Sequence, residues 1–154
     1  MKKADSVLEK LEKAVTMGSV LTDSKSREFY STDLSCTSGE IADLVLQPGN
    51  AQELADSIKV VTDAGMNIVP RGGGMSYTQG YQPEKKESVL IDMRSMDRVL
   101  EINSEDMYVT VEAGCTWKKL YEALAEQDLR TPYFGPLSGM YATVGGTISQ
   151  NSLF

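Results

Sequence analysis

The stretch "VPRGGGMSYTQGY", residues 69–81, sets three consecutive glycines behind a short apolar run, with Arg71 before them and Ser76 and Gly80 after. Glycine gives up more backbone freedom on folding than any other residue, about 0.5–1 kcal/mol relative to alanine. Three in succession imply a backbone that needs angles or closeness a Cβ would forbid. Bare backbone N–H groups beside a strand most often serve phosphates, whose oxygens they can approach directly. A second stretch, "GPLSGMYATVGG", places Gly135, Gly139, Gly145 and Gly146 among Ser138, Ala142 and Thr143. It too keeps side chains small, and it adds hydroxyls. Two such stretches, one from each half of the chain, fit one extended ligand gripped from both sides, and a dinucleotide with a central pyrophosphate is the natural candidate.

Two standard phosphate loops do not fit. A Walker loop requires Lys after its last glycine, and Gly80 is followed by Tyr81. The dinucleotide fingerprint G-x-G-x-x-G, started at Gly72, ends on Tyr77, and Pro83 and charges follow where a helix should begin. A plain glycine-rich turn between strands is the remaining alternative for the first loop taken alone. The chain contains no histidine. That excludes within it a Ser-His-Asp triad, a histidine general acid and a histidine metal site, so a cofactor is expected to carry any chemistry. No metal site is expected. The formal net charge of −7 argues against a nucleic-acid surface, and Lys85-Lys86 and Lys118-Lys119 are too sparse to reverse it. No apolar run is long enough to span a membrane. The opening "MKKADSVLEKLEKAV" has acidic interruptions foreign to a signal peptide, so a cytoplasmic location is expected. Cys36 and Cys115 lack a CxxC spacing; a disulfide is unforced, and two separate buried thiols are the expectation.

The elements that must position these loops follow from periodicity. Leu8, Leu11 and Val15 mark an amphipathic N-terminal helix, and residues 19–43 read mostly as loop. "DLVLQP" gives a strand stopped by Pro48; Asn50 and Glu53 form a capping pair for a helix with Leu54, Ile58 and Val61 on its buried stripe, ended by Gly65. "NIVP" and "SVLIDM" are the next strands, so a β-α-β unit runs straight into the first glycine loop. "RVLEI" and "YVTVEA" follow as strands. Thr116 then caps a helix carrying Trp117, Leu120, Tyr121 and Leu124 on one face. The expected organisation is an N-terminal helix and loop at 1–43, a first lobe at 44–105 and the start of a second lobe at 106–154.

"VPRGGGMSYTQG" resembles the glycine loop of FAD-linked oxidases, the vanillyl-alcohol oxidase or p-cresol methylhydroxylase (PCMH)-like family. "VTVEAGCTWKKLYEAL" is similar to that family's strand-glycine-helix passage, and "TPYFGPLSGMYATVGGTISQNS" to its second cofactor loop. The resemblance runs from about Leu44 to the end, with three segments in order. It implies an α+β fold of two α+β lobes, the second incomplete, with FAD extended between them. Carried over by position, Pro70, Arg71, Gly72, Gly73, Gly74, Met75, Ser76 and Gly80 would wrap the pyrophosphate. Pro136, Leu137, Ser138 and Gly139, then Ala142, Thr143, Val144, Gly145 and Gly146, would continue toward the flavin. Arg71 either aids the phosphates or pairs with a carboxylate. Many members carry His where this chain has Met75, so the histidyl-flavin bond is impossible and the FAD is expected to be non-covalent.

The implied function is the FAD-binding part of a flavin-dependent oxidoreductase that takes hydride from an oxidisable substrate, with 2-hydroxy acids as the first guess. A non-catalytic flavin- or nucleotide-binding module and an inactive truncated fragment are the alternatives. The substrate would meet a further C-terminal domain, and the catalytic residues are not identified. Alone, the chain is expected to bind FAD weakly or not at all, to be inactive, and to associate with itself or a companion chain. A valine at Gly73 is expected to abolish FAD binding with only a modest loss of fold stability.

Overall fold

The computed structural model describes residues 2–35, 39–132 and 135–152. Helix α1 (Lys2–Ala14) leads into strand β1 (Ser19–Leu21) and helix α2 (Ser24–Ser31). Strand β2 (Leu44–Gln47), helix α3 (Ala51–Asp63), strand β3 (Asn67–Arg71) and strand β4 (Ser88–Asp92) follow. Strands β5 (Val99–Asn103) and β6 (Tyr108–Val111) precede helix α4 (Trp117–Ala125) and the short helix α5 (Val144–Ser149). The result is α+β, as expected. The segment 19–35 is more ordered than its composition suggested: β1 pairs antiparallel with β2, and Asp23 caps α2 by accepting from the Ser26 N–H.

The larger sheet runs β1-β2-β4-β3. β4 inserts between β2 and β3 and pairs parallel with both, so all five of its residues are buried. Alternation divides its side chains between two layers. Leu44, Leu46, Val89 and Ile91 pack with Val7, Leu11 and Val15 of the α1 segment and with Val61 of α3. Val45 and Leu90 face the opposite way, toward Ala42, Leu21 and Tyr30 of α2. The stripe on α3 differs from its expected composition. Val61 is buried and Leu54 half-buried against the core, but Ile58 is exposed while Glu53 and Ser57 are buried.

The second sheet is the antiparallel pair β5-β6, backed by Leu120 and Leu124 of α4 and by Cys115 just before that helix. The boundary expected at residue 105 falls within the turn of this hairpin, since β5 pairs with β6 and not with the first sheet. Tyr121 is exposed rather than buried with its helical neighbours. Cys115 is a buried free thiol whose pKa burial pushes up; Cys36 lies outside the described residues. Among the described residues, no helix is long and apolar enough to cross a membrane.

Glu53 explains its own burial. Asn50 caps α3 by accepting from the Glu53 N–H at 2.9 Å, as its spacing suggested, but the Glu53 carboxylate does not complete a reciprocal box. It accepts instead from the N–H groups of Thr16 (2.8 Å), Met17 (2.6 Å), Gly18 (3.1 Å) and Gly49 (2.9 Å). The bonds from Met17 and Gly49 foremost hold its pKa down to about 2, against an ordinary 4.5. This carboxylate ties the α1–β1 turn to the start of α3. Because its folded pKa is depressed, its stabilisation is complete above the unfolded value and is lost as pH falls from about 4.5 toward 2. Glu53→Gln therefore lowers the thermal midpoint by several degrees at neutral pH, and the gap to the unaltered chain narrows as pH drops through that window. Thermal melts at a series of pH values check this; a constant gap contradicts it.

Candidate functional site

The parallel strands end together at Gln47, Asp92 and Arg71, and the cavity opens beyond the carboxyl ends of β4 and β3, the usual ligand side of such sheets. Its volume is about 490 Å³. One wall is the first glycine loop: Pro70, Arg71, Gly72, Gly73, Gly74, Met75, Ser76 and Gly80 all line it. The facing wall carries Ser138, Ala142, Thr143, Gly145 and Gly146. The structure thus brings both sequence stretches to one cavity. Pro136, Leu137, Gly139 and Val144 do not line it. Leu137 is fully exposed; Gly139 packs against Trp117; the Val144 N–H is spent on the Cys115 carbonyl at 2.8 Å.

What the first loop approaches so closely is the second stretch of the chain itself. A Cβ on Gly73 would collide with the Tyr141 carbonyl, and one on Gly72 with Thr143 Oγ1. The expectation that a valine at Gly73 leaves the fold nearly intact is therefore revised, because the side chain would push the two walls apart. Gly74 is constrained twice: its φ of +72° suits glycine, and a Cβ there would strike the Arg71 guanidinium.

Hydrogen bonding separates the walls. The backbone N–H groups of Gly73, Gly74, Met75 and Ser76 have no acceptor among the described residues. Four successive donors beside the cavity are the arrangement a phosphate chain needs. Most of the second wall's donors are already spent: Ala142 N–H on Ser138, Gly145 on Ala113, and Gly146 on Thr143 Oγ1 at 3.2 Å. The last of these caps α5, a helix turn absent from the expected loop. Its VGGTIS sequence hid it, since two glycines are poor helix formers; the signal available was Thr143 in the cap position. The second wall therefore offers shape and hydroxyls, the first offers charge recognition. Gly80 and Ser76 close the first loop's far end: Ser76 Oγ accepts from the N–H groups of Thr78 (3.2 Å) and Gly80 (3.3 Å). Thr78 Oγ1 donates to Gln150 Oε1 at 3.3 Å across the cavity mouth. Thr78, Gln150 and Thr147 are lining residues that sequence reasoning missed.

Polar side chains brace the sheet end. Burial works to raise the Asp92 carboxyl, but Arg94 (2.8 Å) and Gln47 (2.9 Å) outweigh it and hold it below the ordinary carboxylate range. Tyr30 OH accepts from both Gln47 Nε2 and Arg94 Nη2 at 2.9 Å, joining α2 to this brace. Tyr81 is buried, which pushes its phenol up, and its hydroxyl donates to the Gly74 carbonyl at 3.0 Å. Arg71 has no carboxylate partner among the described residues, so the ion-pair alternative finds no support.

A cradle that Cβ atoms would fill, lined by unclaimed backbone donors, fits the pyrophosphate of FAD. Comparison with known proteins agrees. The FAD binding domain family matches residues 42–153. The chain is 30% identical over 126 residues to glycolate oxidase subunit GlcD of Bacillus subtilis, covering 82% of this chain and 26% of that protein. It is 34% identical over 137 residues to the mitochondrial D-lactate dehydrogenase [cytochrome] of Arabidopsis thaliana, covering 87% and 23%. The chain thus spans about a quarter of the length of these relatives. Among solved structures, alkyldihydroxyacetonephosphate synthase superposes with a TM-score of 0.82 at 20% identity, over 94% of this chain and 29% of that one. p-Cresol methylhydroxylase gives 0.73 at 17% identity, over 84% and 26%. These likenesses give the fold, and the sequence match gives the lineage: the chain belongs to the FAD binding domain family, and its cofactor is FAD.

Proposed function

We propose that this chain is the FAD-binding portion of an oxidoreductase that passes hydride from an oxidisable substrate, a 2-hydroxy acid in the first instance, to the flavin. When bound, FAD supplies an oxidised ring that accepts the hydride at N5. The residues present bind and orient. Gly73 to Ser76 offer their N–H groups to the pyrophosphate; Ala142, Thr143, Gly145 and Gly146 shape the opposite wall. The carrying observation is the set of four unclaimed backbone donors in the cradle. The substrate class rests on the names of two relatives, the glycolate oxidase subunit and the D-lactate dehydrogenase, since glycolate and D-lactate are both 2-hydroxy acids. The substrate would be met by chain beyond this stretch, and a companion or second copy would complete the lobe built on β5 and β6. A cytoplasmic location belongs to the same proposal.

Trp117 is the single tryptophan, and its Nε1–H donates to Thr147 Oγ1 at 2.9 Å, placing the indole one residue behind the cavity wall. FAD titrated into the purified chain quenches its emission saturably, and ADP competes. No saturable quenching at millimolar FAD contradicts the proposal. Gly73→Val weakens FAD by about tenfold to a hundredfold, the equivalent of one or two charge-assisted hydrogen bonds, and lowers the thermal midpoint as well. Unchanged affinity would make the loop an ordinary turn. Acid precipitation leaves the yellow colour in the supernatant, since Met75 has no nitrogen to hold the ring; colour in the pellet overturns the non-covalent assignment.

A further inference from the structure

Arg71 is 5% exposed, and its Nε and Nη1 are buried without a hydrogen-bond partner among the described residues. The guanidinium lies instead over three aromatic rings: Tyr81 at 4.9 Å, Tyr30 at 5.0 Å and Phe29 at 5.7 Å from the ring centroids. Phe29 and Tyr30 belong to α2, which precedes the 42–153 stretch matched by the family. The carboxylates on neighbouring elements are engaged elsewhere, Asp92 with Arg94 and Gln47, Asp33 with Gln82 and the Gln79 N–H.

Taking a cation out of water without a counter-charge is costly, and aromatic faces return only part of that cost. Such a charge keeps most of its field, because little water or salt intervenes. Arg71 sits directly beneath the glycine loop, where a Cβ on Gly74 would touch it, and the residue lines the cavity. We propose that Arg71 is a positioning residue that acts as a buried charge under the loop, raising the cradle's affinity for phosphate-bearing ligands. Tyr81 and Tyr30 keep that charge dry, with the exposed Phe29 ring of α2 as an outer cover. The N-terminal segment thereby becomes a working part of the cofactor site. The inference rests on the FAD-binding reading above.

The test compares FAD and ADP affinities, from Trp117 quenching and its competition, in the unaltered chain, Arg71→Met and Arg71→Lys. Arg71→Met is expected to weaken both ligands by the same factor, about tenfold or more, and Arg71→Lys to restore most of the loss because it keeps the charge. Equal affinities in the Met and Lys variants, whether both high or both low, overturn the inference and reduce Arg71 to packing. So does a loss confined to FAD with ADP unaffected. Should Arg71→Met fail to fold, Phe29→Leu probes the same buried charge: it removes one ring while leaving the Tyr30 hydrogen bonds, and weakens FAD and ADP together by several fold. Unchanged affinity in that variant contradicts the proposed role. Failure of the unaltered chain to bind FAD instead removes the reading on which the inference rests.

Discussion

The contact between Gly72–Gly73 and the Tyr141–Thr143 backbone is the constraint on which the site depends. It is possible only because two adjacent residues lack side chains where the chain's two halves meet. Each half has its own anchor beside that contact. The first loop leaves β3 at the end of a sheet whose central strand, β4, is buried throughout. The second stretch is held by the bridge between Thr116 and Thr143 and by Trp117, whose backbone N–H donates to the Ala142 carbonyl at 3.2 Å. Two rigid supports therefore define the gap, and the glycines set its width. A cavity so defined is largely preformed, which lowers the ordering cost of binding an extended ligand.

On the proposed reading, an acidic chain would recognise a doubly charged pyrophosphate here without a lysine at the loop. Local dipoles decide the matter more than net charge. Four backbone N–H groups belong to residues that line the cavity, and none of them has an acceptor among the described residues. Two of the buried carboxylates are paired with cations at 2.8 Å, Asp92 with Arg94 and Glu112 with Arg98, while Asp33 is held by the neutral donors of Gln79 and Gln82. The guanidinium of Arg71, beneath the loop, has no carboxylate within ion-pair distance among the described residues.

Much of this was legible in the sequence because it rests on short-range rules. The strands at 44–47, 67–71 and 88–92 follow from apolar runs bounded by Pro48, glycine and charge, and Asn50 and Thr116 cap their helices as their positions require. The two glycine stretches pointed by composition alone to a shared site, and residues of both line one cavity. What stayed hidden depends on tertiary partners. Nothing local shows that Glu53 would turn away from its own helix to collect four N–H groups from neighbouring turns. The polar segment holding β1 and α2 takes its order from β2 and from the rings stacked on Arg71. The second stretch was legible as a wall but not in detail, because whether its N–H groups are free depends on carbonyls supplied by Ala113 and Cys115.

If the site works as described, the unclaimed N–H groups of residues 73–76 receive the phosphates of FAD. Amide chemical shifts in an isotopically labelled sample, recorded during an FAD titration, address each donor separately. The largest changes are expected on Gly73, Gly74, Met75 and Ser76, with smaller ones on Thr143 and Gly146 of the opposite wall. Saturable binding that leaves the four amides of the first loop unmoved would contradict this assignment.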